Sequence, residues 1–105
     1  MVNPELDTKI KELLKNYPII LFMKGDKYFP KCGFSKTVVD ILNESEAHYA
    51  TFDILLDEEI RSGLKEYSDW PTYPQLYIKG DLIGGCDIIK QLHLNGELSK
   101  LLQNG

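Results

Sequence analysis

The run Ile19-Ile20-Leu21-Phe22-Met23 decides the fold class of this 105-residue chain. Its odd and even positions are all apolar and its first two residues are β-branched, which is typical of a strand buried on both faces in the middle of a sheet. At five residues it is the longest purely apolar run in the sequence, and it is too short to cross a bilayer. A strand of this kind needs helices on both sides of its sheet, so the run predicts an α/β protein.

The segments that flank this strand predict helices. Asn3 followed by Pro4 is a typical helix start, and Tyr17-Pro18 ends that helix. A polar loop over 25–31 leads to a second helix that begins at Cys32 and Gly33. The residues expected on the buried faces are Leu6, Ile10, Leu13 and Leu14 in the first helix and Phe34, Val38, Ile41 and Leu42 in the second.

The second half of the chain predicts three further strands and three further helices. Residues 48–53 alternate as a strand, with Tyr49 or Phe52 facing inward, and Asp57 caps a helix. Residues 70–74 contain two prolines and form a shaped loop, after which 75–83 fold into a hairpin that Gly84-Gly85 ends. Asp87 opens a helix, and Gly96 separates it from a last short one. Residues 1–105 are therefore predicted to form one domain, with a mixed four-stranded sheet and helices on both faces.

Composition excludes several kinds of function. The net charge is −4 and the isoelectric point is near 5.1, which argues against nucleic acid as a partner, and neither a membrane-spanning run nor a signal peptide is present. Two cysteines are too few for a disulfide scaffold, and the two histidines lack the spacing of a metal site. No phosphate-binding or nucleophile-elbow motif occurs. The chemistry of this chain is therefore expected at a thiol.

Cys32 is the candidate thiol because it lies between a strand and the start of a helix. Backbone N–H groups and the helix dipole at that position favour a thiolate, and Lys24 or Lys31 would add to the effect. The small Gly33 and the polar loop before Cys32 favour a reactive residue over a buried structural one.

Four motifs in this order resemble those of the monothiol, CGFS-type glutaredoxins. They are Phe22-Met23-Lys24-Gly25, Cys32-Gly33-Phe34-Ser35, Trp70-Pro71-Thr72-Tyr73-Pro74-Gln75 and Gly84-Gly85-Cys86-Asp87-Ile88. The resemblance extends from the first helix to Gly105 and implies the thioredoxin fold, in agreement with the element order. Ser35 stands where a dithiol relative has a second cysteine, so this motif cannot close its own disulfide.

The resemblance implies a glutathione site. Glutathione carries two carboxylates, an ammonium and a thiol, so its site needs cations at one end and an acid with a helix N-terminus at the other. By resemblance, Lys24 and Arg61 hold the glycine carboxylate, and Cys86 N–H and Asp87 take the γ-glutamyl group. The segment Thr72-Tyr73-Pro74, with a cis proline, pairs its backbone with the cysteinyl unit. Two interpretations of the Cys86 sulfur stay open, a disulfide with Cys32 or a place in the pocket wall.

Counting thiolates extends the expectation to a metal cluster. A [2Fe–2S] cluster takes four thiolates, and Cys32 is the one suitable ligand in each chain. A homodimer with two glutathiones supplies four, which is also the arrangement of the family. The resemblance further implies BolA-type proteins and apo iron–sulfur acceptors as partners.

Three functions compete at this stage. The first is a cluster carrier acting in iron–sulfur transfer and redox homeostasis. The second is a glutathione-dependent protein-disulfide oxidoreductase (deglutathionylation) with Cys32 as nucleophile. The third is a non-catalytic module of a longer thioredoxin–glutaredoxin chain. The carrier ranks first because CGFS members are poor in the reductase reaction. The redox-active thiol and Tyr73 predict a cytosolic or nuclear location, and a mitochondrial one stays open if a transit peptide has been removed.

Overall fold

The computed structural model describes residues 2–104. In chain order the elements are α1 (Pro4–Asn16), β1 (Ile19–Met23), α2 (Gly33–Glu44), β2 (Ala50–Asp53), a short 3-10 helix (Ile54–Leu56), α3 (Glu58–Ser68), β3 (Gln75–Ile78), β4 (Asp81–Gly84), α4 (Cys86–Leu94) and α5 (Glu97–Asn104). Apart from the 3-10 helix, this is the predicted order. No helix among the described residues has the length and apolar character needed to cross a membrane.

The four strands form one mixed sheet in the order β2-β1-β3-β4. β1 pairs with β2 in parallel, while β3 is antiparallel to both β1 and β4. The carboxyl ends of β1, β2 and β4 and the start of β3 therefore lie at one end of the sheet. This mixed topology is the thioredoxin fold that the sequence predicts.

Alternating residues of β1 feed two hydrophobic cores, one on each face of the sheet. Ile19, Leu21 and Met23 pack with α2, α4 and α5, whereas Ile20 and Phe22 pack with α1 and α3. All five are buried, which explains why β1 is apolar at every position. The helices thus cover both faces, as predicted.

Local signals account for the ends of several elements. The side chain of Asn3 accepts the N–H of Leu6 at 2.8 Å and caps α1, and Asp57 caps α3 in the same way through Ile60 N–H at 3.1 Å. The β3–β4 hairpin turns through Lys79 and Gly80, whose φ angles of +51° and +83° are those of a two-residue primed turn.

The structure corrects four details of the sequence interpretation. Phe34 does not join the buried face of α2 but is 62% exposed, because it faces a surface cavity beside the start of this helix and not the hydrophobic core. β2 begins at Ala50 and not at residue 48, since pairing with β1 starts opposite Ile20. α4 begins at Cys86, one residue before the predicted Asp87, and Gly84 belongs to β4.

Candidate functional site

The Cys32 thiol lies at the N-terminus of α2, where the chain returns from β1. Cys32 is the N-cap residue, and its carbonyl accepts the N–H of Lys36 at 2.9 Å. The pKa of this thiol lies below its ordinary value, chiefly because the backbone N–H of Ser35 donates to the sulfur. A weaker bond from Phe34 N–H and the charge of Lys24 act in the same direction, against the opposing effect of burial. The fold therefore favours a thiolate at Cys32.

Ser35, at the position where dithiol relatives have a second cysteine, has a structural role. Its side chain is fully buried, and its hydroxyl accepts the backbone N–H of Lys24 at 3.3 Å. This bond ties the first turn of α2 to the end of β1. The bond therefore holds the backbone of Lys24 close to the helix start that carries Cys32.

All eight sequence-predicted site residues line one cavity of about 640 Å³ at this end of the sheet. They come from the end of β1, the start of α2, one side of α3, the loop 70–74 and the start of α4. These eight residues are Lys24, Cys32, Arg61, Thr72, Tyr73, Pro74, Cys86 and Asp87. The fold thus places every residue that the resemblance assigned to glutathione around one opening, while their roles stay predictions.

Cys86 faces the same cavity, but its pKa is shifted in the opposite direction to that of Cys32. Burial and the neighbouring Asp87 carboxylate raise the pKa of the Cys86 thiol. Since Cys86 is the first residue of α4, its N–H is one of the groups that has no partner inside the helix. The geometry therefore offers a backbone donor for an anion, with a neutral thiol beside it.

The cavity wall formed by 70–74 is held by a buried polar network. The amide nitrogen of Gln75 donates to the carbonyls of Trp70 and Thr72, both at 3.1 Å, and its oxygen accepts the Tyr77 hydroxyl at 2.7 Å. The Tyr77 hydroxyl also bonds to Ser68 in α3, and burial raises the pKa of Tyr77 to about 12. Gln75 is fully buried, so nothing but this network satisfies its side chain.

Tyr73 connects the same loop to α3. The peptide bond between Tyr73 and Pro74 is cis, as predicted. The Tyr73 side chain is buried, and its hydroxyl donates to the carbonyl of Arg61 at 2.7 Å. The loop and the helix turn that carries Arg61 are therefore positioned together.

We expect Gln75→Leu to loosen this wall. The substitution removes the hydrogen bonds from Gln75 to two backbone carbonyls and to the Tyr77 hydroxyl. We expect the free energy of unfolding to fall by at least about 2 kcal/mol and the binding of glutathione to weaken. Urea denaturation and glutathione titration measure the two effects. Tyr77→Phe is the matched control, because it keeps both bonds from Gln75 to the loop and is expected to leave glutathione affinity unchanged. Wild-type glutathione affinity in Gln75→Leu would contradict the assigned role of the network.

Sequence reasoning missed several residues of the cavity wall. Lys65 lies one turn after Arg61 on α3 and faces the same space, a spacing that is visible in the sequence. Phe34, Trp70 and Ile88, which belong to the family motifs but were not predicted as site residues, also line the cavity. The indole N–H of Trp70 is buried without a hydrogen-bond partner and lies against Gly85.

A second cavity of the described chain lies apart from the predicted site residues. A cavity of about 710 Å³ lies at the other end of the sheet, between the end of α1, the end of α2 and α5, and it contains none of the predicted site residues. Within residues 2–104, no three His, Cys, Asp or Glu side chains are grouped so that one chain could hold a metal ion.

Comparisons with known proteins agree on one family. The glutaredoxin family model matches residues 19–83. The probable monothiol glutaredoxin 2 of Rickettsia typhi is 52% identical over 95 residues, which are 90% of this chain and 86% of that protein. Human Glutaredoxin-3 is 56% identical over 100 residues, or 95% of this chain, and the chain spans about 30% of the length of that relative.

Solved structures match over nearly the full length. Reduced apo GrxS14 of poplar superimposes with a TM-score of 0.85 at 47% identity, covering 98% of this chain and 94% of that one. A buckwheat glutaredoxin in complex with glutathione gives a TM-score of 0.82 at 25% identity, with 97% and 94% coverage.

Proposed function

Because the chain belongs to the glutaredoxin family, in its monothiol group, we propose that it binds glutathione in the cavity around Cys32 and carries a [2Fe–2S] cluster between two subunits. The observation that carries the proposal is the convergence of the Cys32 thiol, three cations and the start of α4 on one cavity. The solved buckwheat relative is described as a glutathione complex, which supports the same ligand here.

The charges of the cavity suit an extended tripeptide with unlike ends. Lys24 and Arg61 offer cations for the glycine carboxylate. Asp87 and the free N–H groups at the start of α4 suit the γ-glutamyl ammonium and carboxylate. Between these ends, the backbone of Thr72 and Tyr73 runs along the cavity and suits the cysteinyl unit, whose thiol then lies towards Cys32.

The donor set of the chain fits a shared cluster as cargo. Cys32 supplies one thiolate with a lowered pKa, while Cys86 has a raised pKa and keeps its proton. A [2Fe–2S] cluster takes four thiolates. Two Cys32 thiolates and two glutathione thiolates complete the set, so the carrier is a homodimer when it is loaded. Apo iron–sulfur proteins and BolA-type proteins are the proposed partners, in a reducing compartment of the cytosol or nucleus.

Anaerobic reconstitution tests this function. The protein is mixed with iron, sulfide and glutathione, and we expect visible absorption together with the mass of a dimer that contains two glutathiones. Omission of glutathione should prevent both. A colourless monomer under complete conditions would contradict the carrier function.

We expect Cys86→Ser to keep the cluster. The proposal uses the Cys86 N–H, which serine retains, and not the sulfur, so the visible spectrum should persist with at most a lower yield. The measurement is the same reconstitution, with iron and sulfide counted per dimer. An apo Cys86→Ser protein would make Cys86 a ligand and the thiolate count wrong.

The lowered pKa of Cys32 favours a second candidate, reduction of glutathione mixed disulfides. The Cys32 thiolate would attack the glutathione sulfur of the client, the client S–S bond would break, and the client thiolate would leave. A second glutathione thiolate would then attack the Cys32-bound glutathione, releasing glutathione disulfide and the Cys32 thiolate. Rapid turnover by a colourless monomer would place this reaction first.

A further inference from the structure

Most of the exposed large apolar side chains lie at the end of the sheet that carries Cys32. Among the described residues eight such side chains are exposed, and six of them lie at this end of the sheet. The six are Tyr28, Phe29, Phe34, Leu55, Leu56 and Ile88. Adjacent exposed side chains of this size, such as Tyr28 and Phe29, indicate an interaction surface, whereas single exposed apolar residues are ordinary.

The loop 26–31 holds two of these side chains on a fixed backbone. Tyr28 and Phe29 are 77% and 75% exposed, and their N–H groups donate to one carboxylate oxygen of Asp26 at 2.8 and 2.9 Å. A backbone bridge joins Gly25 to Pro30. Both aromatic rings are therefore presented to solvent by a segment that is already ordered.

Further contacts anchor the base of this loop. Gly25 has a φ of +87°, and a Cβ there would lie 2.3 Å from the Phe29 carbonyl oxygen, so only glycine closes the loop. Gly25 N–H donates to Asp53 at the end of β2, and the Lys27 ammonium lies 4.4 Å from the ring centre of Tyr49. A preordered aromatic pair loses little conformational entropy on binding, which is what an anchor of an interface requires.

The charged side chains that line the cavity are mainly positive, although the chain as a whole is negative. The chain has a net charge of −4, yet three cations, Lys24, Arg61 and Lys65, line the cavity against one carboxylate, Asp87. Lys31 adds a further cation at the end of the loop. The nearest loop carboxylate, Asp26, is already engaged by two backbone N–H groups. A partner that complements this surface carries carboxylates around an apolar centre.

We propose that the loop 26–31, with Tyr28 and Phe29 at its tip and the basic residues beside it, is a docking element for a client protein with an apolar patch ringed by carboxylates. This inference rests on the proposed function, because it places the client next to Cys32. A second copy of the chain is a poorer occupant of the loop itself. The proposed homodimer is held through Cys32 and glutathione, whereas two loops 26–31 that met directly would bring lysines against lysines.

The test compares the double variant Tyr28→Ser/Phe29→Ser with wild type. Both side chains are largely exposed and neither lines the cavity, so stability and glutathione affinity should be unchanged. The probe is a short fluorescein-labelled peptide of Leu, Phe and Glu residues, followed by anisotropy, with a counterpart in which every Glu is replaced by Lys. We expect wild type to prefer the Glu peptide, with salt weakening the binding, and the double variant to lose at least about tenfold in affinity.

Leu94→Ser is the matched control, because Leu94 is equally exposed at the far end of α4. Equal affinity of the double variant and Leu94→Ser for the Glu peptide would overturn the proposal, as would preference for the Lys peptide. Concentration-dependent dimerisation that the double variant abolishes would identify a second copy as the occupant and also overturn it. Glutathione titration separates the proposed function from the docking role of the loop. A wild-type chain that does not bind glutathione contradicts the proposed function. The peptide measurements test the docking role of the loop in either case.

Discussion

Cys32→Ser is expected to abolish cluster binding and every glutathione-dependent exchange reaction. The substitution removes the one thiol whose pKa is lowered by the helix start, and the Cys86 thiol keeps its proton. A hydroxyl at this position is not a thiolate ligand, so the reconstituted protein should be colourless and monomeric. Visible absorption and native mass after anaerobic reconstitution measure the loss.

The fold should survive this substitution. Cys32 occupies the N-cap position of α2 without a side-chain capping bond, and serine is a better N-cap than cysteine. Urea denaturation should therefore give an unfolding free energy at least equal to that of wild type. Cys86→Ser is the matched thiol control. A full visible spectrum in Cys32→Ser would show that the site has been assigned to the wrong residue.

Lys24→Ala is expected to weaken glutathione binding and to raise the pKa of Cys32. Lys24 is half-buried at the end of β1 and lines the cavity, so its ammonium faces both the proposed carboxylate and the Cys32 sulfur. A charge-assisted contact contributes about 1.5–3 kcal/mol when partly desolvated, which is about ten- to a hundredfold in affinity. The pKa change should be the smaller effect, because the Ser35 N–H is the larger cause of the lowered value. Glutathione titration and a thiolate absorbance scan against pH measure both.

Lys31→Ala serves as the matched control for this prediction. Lys31 is exposed, ends the loop 26–31 and does not line the cavity, so its removal should change the affinity for glutathione by less than about 1 kcal/mol. Lys27→Ala should also do less than Lys24→Ala, since Lys27 contacts Tyr49 on the side of β2. Similar behaviour of Lys24→Ala and Lys31→Ala in both measurements would make Lys24 an ordinary surface charge.

The fold could be predicted because strong local signals agree with one another. β1 is apolar on both faces, Asn3 and Asp57 cap their helices, and Lys79-Gly80 allows the positive φ angles of a tight hairpin. Each signal fixes one element, and the rules of strand connection leave few ways to combine them. The gathering of the eight site residues was expected from the family resemblance, and the topology explains it, because the end of β1, the start of α2, the loop 70–74 and the start of α4 lie at one end of the sheet.

What could not be predicted is which side chains face the cavity and which backbone groups they meet in the folded chain. The helical period of α2 places Phe34 with the buried residues, but it does not show that this side chain faces the cavity and stays exposed. Lys65 has a clear spacing from Arg61, yet nothing in the sequence says which side of α3 faces the cavity. Gln75 looks like an ordinary polar strand residue, since its partners are backbone carbonyls whose positions only the folded loop defines.

The Gln75 network has a consequence for the rates of ligand exchange. Hydrogen bonds hold the loop 70–74 in place in the chain without ligand. A tripeptide can therefore bind to this loop without a preceding rearrangement of its backbone. Opening that wall would break buried hydrogen bonds, which makes it a rare event on the timescale of encounter. Differences in affinity among ligands that contact 70–74 should therefore appear in their residence times, while their association rates stay close together.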